Sequence, residues 1–170
     1  MNDDIPQHIG FIIDGNRRWA KEHGLPTYEG HLAGYNGLKD VLLETLARGV
    51  KYASAYVFST ENWKRSEEEI GHLMGLLLKV LESDVPIFVE HNVRLRVVGS
   101  REGLSVAIRK AIDKAEATTA ELDGGELLLC LDYGGNLGIN GVGENIFQSG
   151  VTALDAGPGL SFHNLDAPKE

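Results

Sequence analysis

Two polar segments and one histidine carry residue types that bind phosphate groups. The first segment, Asp14-Gly15-Asn16-Arg17-Arg18, follows an apolar run and precedes a helical pattern. A strand that ends in a tight turn before a helix presents free backbone N–H groups, and two guanidinium groups complete an anion site. An aspartate beside a phosphate is repelled unless a cation lies between them, so this segment predicts Mg²⁺ as well. A capped turn with solvated arginines is the alternative.

The second segment, Phe58-Ser59-Thr60-Glu61-Asn62-Trp63-Lys64-Arg65, also lies between a predicted strand and a predicted helix. Ligands of open α/β sheets bind at the carboxyl edge of the strands, where this segment should meet Asp14. The alternative is a capping loop in which Trp63 fills the core. His31 lies at the start of the helical pattern that follows the loop 24–30. It could donate to a phosphate oxygen, or it could be a partly exposed capping residue.

The elements that must position these residues alternate between apolar runs and helix-period segments, which predicts an α/β fold with a mostly parallel sheet. The predicted strands are 9–13, 52–58, 93–98 and 127–131. The predicted helices are a short one from Arg17 through Ala20, then 32–46, 66–83 and 103–120. We expect a loop over 24–30, a helix end at Gly49 and only turns in the glycine-rich stretch 134–143.

Ser66 and Glu69 have the spacing of a helix-capping box. The helix that they begin has an unusually apolar face, formed by Leu73, Leu76, Leu77, Val80 and Leu81. Such a face packs in the core of most proteins, and its functional alternative is one wall of a tunnel for a hydrocarbon chain.

The composition excludes several classes of protein. The 170 residues carry a formal net charge of −9, which argues against sequence-independent binding to nucleic acid or to an anionic membrane. The single cysteine, Cys130, excludes an intrachain disulfide and a multi-cysteine zinc site. No signal peptide or membrane span is evident, so we expect one cytoplasmic domain over residues 1–170.

Taken together, the motifs resemble the cis-prenyltransferase family, to which bacterial undecaprenyl diphosphate synthase belongs. Five segments resemble the family's motifs and occur in the same order along the chain: 8–20, Gly30-His31-Leu32-Ala33-Gly34, 58–65, 91–96 and Asp132-Tyr133-Gly134-Gly135. It implies a parallel sheet with helices around a hydrophobic tunnel, and a homodimer. The implied reaction condenses isopentenyl diphosphate with an allylic prenyl diphosphate, such as farnesyl diphosphate, with Mg²⁺ as cofactor. The product would bring the enzyme transiently close to a membrane.

The resemblance also assigns roles to residues. It implies that Asp14 is catalytic and holds Mg²⁺, and that Asn62 assists proton removal. An amide is a poor base, so we expect Asn62 to orient a phosphate oxygen or a water that takes the proton. The implied substrate-binding positions are Gly15, Asn16, Arg17, Arg18, Trp19, Thr27, His31, Ser59, Thr60, Glu61, Trp63 and Arg65.

The sequence departs from the family pattern in three places. Thr27 stands where many members carry Arg, and Arg17 stands where a small residue is common. Members also continue beyond the stretch resembling 164–168, to a late Arg- and Ser-containing motif and a late Glu, so we expect a C-terminally truncated domain. Three interpretations remain open: a truncated transferase, a non-catalytic diphosphate-binding or partner subunit, and an unrelated α/β phosphate-binding module.

Overall fold

Four parallel strands form the sheet in the computed structural model, which describes residues 5–133. The strands are β1 (His8–Ile12), β2 (Tyr52–Ser59), β3 (Val93–Val98) and β4 (Gly125–Tyr133), in the spatial order β1-β2-β4-β3. All three pairings are parallel, which confirms the predicted α/β class. The predictions for 134–143 and for the stretch at 164–168 lie outside the described residues.

Five α-helices and one 3₁₀ helix connect the strands within this described range. They are α1 (Asn16–Glu22), α2 (Thr27–Ala47), the 3₁₀ helix Thr60–Lys64, α3 (Glu67–Ser83), α4 (Val85–Glu90) and α5 (Val106–Thr119). The predicted end at Gly49 is confirmed, since this residue has a φ of 92° just beyond α2. The α5 prediction begins three residues too early, because Ser105 caps the helix by accepting a hydrogen bond from the Ile108 N–H.

The predicted loop over 24–30 is wrong in its second half, because α2 already begins at Thr27. Gly30 and Gly34 lie on the face of α2 that packs against α1. A Cβ on Gly30 would collide with the Asn16 carbonyl, and one on Gly34 would collide with the Asn16 side chain. The absence of side chains at Gly30 and Gly34 therefore allows α1 and α2 to pack closely. A glycine in the sequence indicates a turn and does not by itself reveal such a contact.

Gly30→Ala is expected to lower the free energy of unfolding by about 1–3 kcal/mol, because its Cβ would collide with the Asn16 backbone carbonyl, which cannot rotate away as a side chain can. Gly37 lies on the same helix with no atom near its absent Cβ, and is the matched control. Gly37→Ala should stabilise the protein by about 0.5–1 kcal/mol through helix propensity alone. Urea unfolding of both variants measures the difference, and equal shifts for the two would contradict the packing account.

The core lies between the sheet and its helices, and its central strands are buried on both faces, as parallel strands usually are. The consecutive residues Leu127 and Leu128 of β4 lie on opposite faces of the sheet, and each is 1% exposed. On β2, Ala53 is in register with Leu127 and is 0% exposed, and Ser54 is in register with Leu128 and is 8% exposed. No helix in residues 5–133 combines the length and apolarity that crossing a membrane requires.

Candidate functional site

The carboxyl ends of β1, β2 and β4 meet at one edge of the sheet and bring the polar segments together. Ile12 of β1 pairs with Tyr56, and Ser59 of β2 pairs with Tyr133 of β4. Asp14 lies two residues beyond β1, beside the segment that follows β2. The prediction that both polar segments share one sheet edge is therefore confirmed.

A glycine in the left-handed region positions Asp14 at this edge. Gly15 has a φ of 90°, which strains any L-residue with a side chain, and its N–H donates to Asp14 Oδ1 at 2.6 Å. Arg18, one turn along α1, donates to the other carboxylate oxygen at 3.3 Å. The Asp14 side chain remains 60% exposed and that of Arg18 75%. Both groups can therefore change partners when an anion or a cation arrives.

The segment after β2 forms a 3₁₀ helix that is fixed at two points. Asn62 Oδ1 accepts the Ser59 N–H at 3.0 Å, so the amide NH₂ is the group that Asn62 can offer a ligand. Trp63 Nε1 donates to the buried carboxylate of Asp132 at 2.7 Å, and the indole ring packs edge-on against Phe58. Trp63 thus ties the segment to the end of β4.

The Glu69 carboxylate contacts three basic side chains at the same edge, each from a different part of the fold. Its Oε1 accepts from Arg65 at 2.7 Å and from His31 Nε2 at 3.1 Å, and lies 3.9 Å from Arg17 Nε. Its own side chain is only 12% exposed. Ser66 caps α3 as predicted, by accepting the Glu69 N–H. The Glu69 carboxylate, however, turns to the basic cluster, a contact that the capping pattern did not predict.

His31 is buried in the second turn of α2, not a partly exposed capping residue. Since a carboxylate only accepts, the hydrogen bond to Glu69 places the proton of the neutral ring on Nε2. Burial lowers the pKa of His31 from its ordinary 6.5, and the raising effect of the Glu69 contact does not offset it. Burial opposes the charge of Glu69 too, but the contacts with His31, Arg65 and Arg17 leave the pKa of that carboxyl lowered.

The lowered pKa of His31 predicts a pH dependence of stability. As the pH falls through 6.5, the unfolded chain takes up a proton at His31 before the folded chain does, so the free energy of unfolding decreases. The slope from this group is at most about 1.4 kcal/mol per pH unit. Urea unfolding at a series of pH values should show a shallower slope for His31→Gln than for the wild type. The exposed His72→Gln is the control, and an unchanged slope for His31→Gln would refute the assignment.

A cavity of about 580 Å³ opens at this cluster and extends between α2, α3 and the sheet. Its mouth is lined by residues of both polar segments: Asp14, Gly15, Asn16, Arg17, Arg18, His31, Ser59, Asn62 and Arg65. Its inner wall is apolar and includes Leu42, Leu77, Val80, Phe88 and Leu129. The apolar face of α3 therefore packs in the core and also forms one wall of the cavity.

Five of the predicted binding residues do not line this cavity: Trp19, Thr27, Thr60, Glu61 and Trp63. Thr27 is exposed at the first position of α2, and Trp19 stacks on His23 at a centroid distance of 4.2 Å. Conversely, Tyr35 and Lys39 line the cavity and were not predicted. They follow His31 by four and eight residues, and this helical spacing is the signal that could have identified them.

Among the described residues, the mouth of the cavity offers Mg²⁺ a single carboxylate ligand, that of Asp14. Within residues 5–133 no three His, Cys, Asp or Glu side chains come together as a metal site. Mg²⁺ is commonly held by one or two carboxylates with substrate phosphates and water, and Asp14 supplies one exposed carboxylate beside three arginines. The residues present therefore fit a Mg²⁺ ion that is shared with a bound diphosphate.

Sequence comparisons identify the relatives of this chain. The family model described as "Putative undecaprenyl diphosphate synthase" matches residues 12–164. The chain belongs to this family of isoprenyl transferases. It is 41% identical over 150 residues to the isoprenyl transferase of Neisseria meningitidis, covering 88% of this chain and 60% of that protein. The Lactococcus lactis isoprenyl transferase is 42% identical over 146 residues. The chain thus spans about 60% of the length of these relatives.

The fold agrees with this family membership. The structure resembles lavandulyl diphosphate synthase from Lavandula x intermedia, solved in complex with dimethylallyl diphosphate, with a TM-score of 0.76 and 31% sequence identity. The match covers 79% of this chain and 58% of that one. The parallel sheet and its helices are therefore the architecture of a prenyl diphosphate synthase.

Proposed function

We propose that the chain binds an allylic prenyl diphosphate with Mg²⁺ and transfers its prenyl group to isopentenyl diphosphate, forming a cis-polyprenyl diphosphate. The observation that carries this proposal is the continuity of the cavity, which joins a basic, polar mouth to an apolar interior. A prenyl diphosphate has the same division into an anionic head and a hydrocarbon tail. The relatives named as isoprenyl transferases support the reaction type.

The mouth is suited to the charge that develops on the leaving group. Arg18 and Arg65 present forked donors to diphosphate oxygens, and the Asn62 amide can donate beside them. Asp14 would hold Mg²⁺, which supplies Lewis-acid stabilisation of the departing diphosphate when bound. These groups act where negative charge appears, which is the arrangement that lowers the barrier to ionisation.

The interior of the cavity is suited to the carbon fragment. Its walls of Leu, Val and Phe side chains exclude water from the electron-deficient carbon formed as the diphosphate leaves. Isopentenyl diphosphate would supply the attacking double bond, and a proton is then lost from the extended product. We propose that Asn62 orients the diphosphate oxygen or water that accepts this proton.

The proposal includes further expectations from the family resemblance. A polyprenyl product is more apolar than its precursors, so its release should bring the enzyme to a membrane surface. A homodimer is the expected assembly, and sedimentation equilibrium of the purified chain measures it.

Transfer of labelled isopentenyl diphosphate to farnesyl diphosphate, with Mg²⁺ and the 170-residue chain alone, tests the proposal. We expect an extended product that disappears when Mg²⁺ is chelated. If the chain binds farnesyl diphosphate without forming product, the proposed transferase activity is wrong. That result would favour a diphosphate-binding subunit. Full turnover by Asn62→Asp would contradict the role given to Asn62, because a carboxylate there repels the diphosphate.

A further inference from the structure

Trp63 does not line the cavity, although residues on both sides of it in the sequence do. Asn62 and Arg65 line the mouth, whereas Trp63 packs against the core. Its indole ring lies so close to Gly103 that a Cβ on that glycine would be 3.0 Å from the ring. The Nε1–H of Trp63 donates to Asp132 Oδ1 at 2.7 Å. Trp63 therefore attaches the 3₁₀ helix both to the core and to the end of β4.

A bulge at the end of β4 brings Asp132 to Trp63. Two adjacent residues of β2 are in register with Leu131 and Tyr133, so Asp132 lies between them as an extra residue of β4. Asp132 also has a φ of 48°, in the left-handed region that few residues with a side chain adopt. Bulges and strained residues of this kind redirect a side chain and are common beside active sites. Here the redirected group is a carboxylate, and its partner is the indole N–H.

The Asp132 carboxylate is buried without a cation. The residue is 7% exposed, and within residues 5–133 no lysine or arginine forms an ion pair with it. A buried carboxylate with a neutral partner loses hydration, so stability alone does not favour it over an apolar residue. The backbone is held independently of Trp63, because the Asp132 C=O accepts the Ser100 N–H at 3.4 Å. Asp132 is therefore a fixed acceptor against which the 3₁₀ helix is oriented.

The orientation of Trp63 determines where the two neighbouring donors point. The 3₁₀ helix Thr60–Lys64 has five residues, none of which is buried. The Asn62 C=O accepts the Arg65 N–H at 3.0 Å, so the backbone between them moves as one unit. Ring packing leaves an indole free to slide, whereas its N–H donates along a single direction in the ring plane. The bond to Asp132 therefore fixes the rotation of this unit relative to the sheet.

We propose that Asp132 is a positioning residue for the diphosphate. Through its hydrogen bond to Trp63, it holds Asn62 and Arg65 in the arrangement that receives the ligand. The inference rests on the proposed function, because it requires the diphosphate to bind at the mouth. Asp132 does not line the cavity, so its effect on the ligand is indirect. A misplacement of about 1 Å in a catalytic constellation costs on the order of 100-fold in rate, so a hydrogen bond outside the cavity is sufficient to control the site.

The test measures the Kd of farnesyl diphosphate with Mg²⁺ by titration calorimetry, a readout that does not depend on turnover. Asp132→Leu keeps a side chain of similar shape but removes the acceptor, and should raise the Kd about tenfold. Asp132→Asn keeps an oxygen that accepts the indole N–H, and its Kd should stay within about threefold of the wild type. Trp63→Phe keeps an aromatic ring but removes the N–H, and should also raise the Kd about tenfold.

Two further variants make the result specific. Asp132→Leu and Trp63→Phe break the same hydrogen bond, so the double variant should bind no more than about twofold more weakly than either single variant. Asn92→Leu is the matched control, because Asn92 also has a left-handed φ, 56°, and donates to Asp123 Oδ1 at 2.9 Å. Asn92 precedes β3 and so lies at the opposite edge of the sheet. Its substitution should lower the urea midpoint and leave the Kd unchanged.

An unchanged Kd in a folded Asp132→Leu variant, or in Trp63→Phe if Asp132→Leu does not fold, overturns the positioning role and leaves the proposed function standing. Effects that multiply in the double variant also overturn the positioning role, and so does an Asp132→Asn variant that binds as weakly as Asp132→Leu. Equal weakening by Asn92→Leu overturns it too, because the loss would then follow from lower stability alone. Failure of the wild type to bind farnesyl diphosphate overturns the positioning role and the proposed function together.

Discussion

Asp14→Asn is expected to abolish the Mg²⁺ dependence of prenyl diphosphate binding. With Mg²⁺ present, the variant should bind farnesyl diphosphate about tenfold or more weakly, because it lacks the carboxylate that shares the ion with the ligand. Without Mg²⁺, the variant should bind at least as tightly as the wild type, since an uncompensated Asp14 carboxylate repels the diphosphate. Isothermal titration with and without a chelator measures both effects.

Asp40→Asn is the matched control, because Asp40 is an exposed acid on α2 and its substitution changes the net charge by the same amount. It should retain the Mg²⁺ dependence of the wild type. An Asp14→Asn variant whose binding still tightens with Mg²⁺ would show that the ion is held elsewhere.

Glu69→Gln is expected to destabilise the protein and to weaken diphosphate binding about tenfold. The substitution keeps the shape of the side chain but removes the charge that His31, Arg65 and Arg17 share at Oε1. Charge-assisted hydrogen bonds are roughly twice as strong as neutral ones, so the expected loss is about 1–3 kcal/mol of unfolding free energy. The weaker binding follows because Arg65 and His31 are then no longer held in one arrangement.

Urea unfolding and farnesyl diphosphate titration measure the two effects of Glu69→Gln. The exposed Glu68→Gln on the same helix makes the same change in charge and should leave both quantities near the wild type. Equal behaviour of the two variants would contradict the organising role of Glu69. Tighter binding by Glu69→Gln would show instead that its negative charge merely opposes the ligand.

The sequence pattern predicts correctly the features that depend on residues close together in the chain. The apolar runs predict the four strands, and the order of strands and helices places Asp14 and Asn62 at one sheet edge, as found. Ser66 and Gly49 mark helix ends as predicted, because capping is decided within one turn of the helix.

The features that were missed depend on contacts between residues distant in the chain. The spacing of Glu69 to Ser66 indicates a helix cap, whereas the Glu69 side chain is bonded to His31, 38 positions away. Gly30 indicates a turn by composition, yet it lies within α2, where its missing Cβ allows α1 to pack closely. Trp63 bonds Asp132, 69 positions along the chain. Local propensity carries no information about such partners.

The central claim is that one cavity receives both the diphosphate and the hydrocarbon chain of the same ligand. Comparing the Kd values of farnesyl diphosphate, inorganic diphosphate and farnesol in the presence of Mg²⁺ tests it most directly. The account predicts that farnesyl diphosphate binds more tightly than either half, and that each half competes with it. If farnesyl diphosphate binds no more tightly than inorganic diphosphate, or if farnesol does not compete with it, the hydrocarbon chain does not occupy the cavity and the account is contradicted.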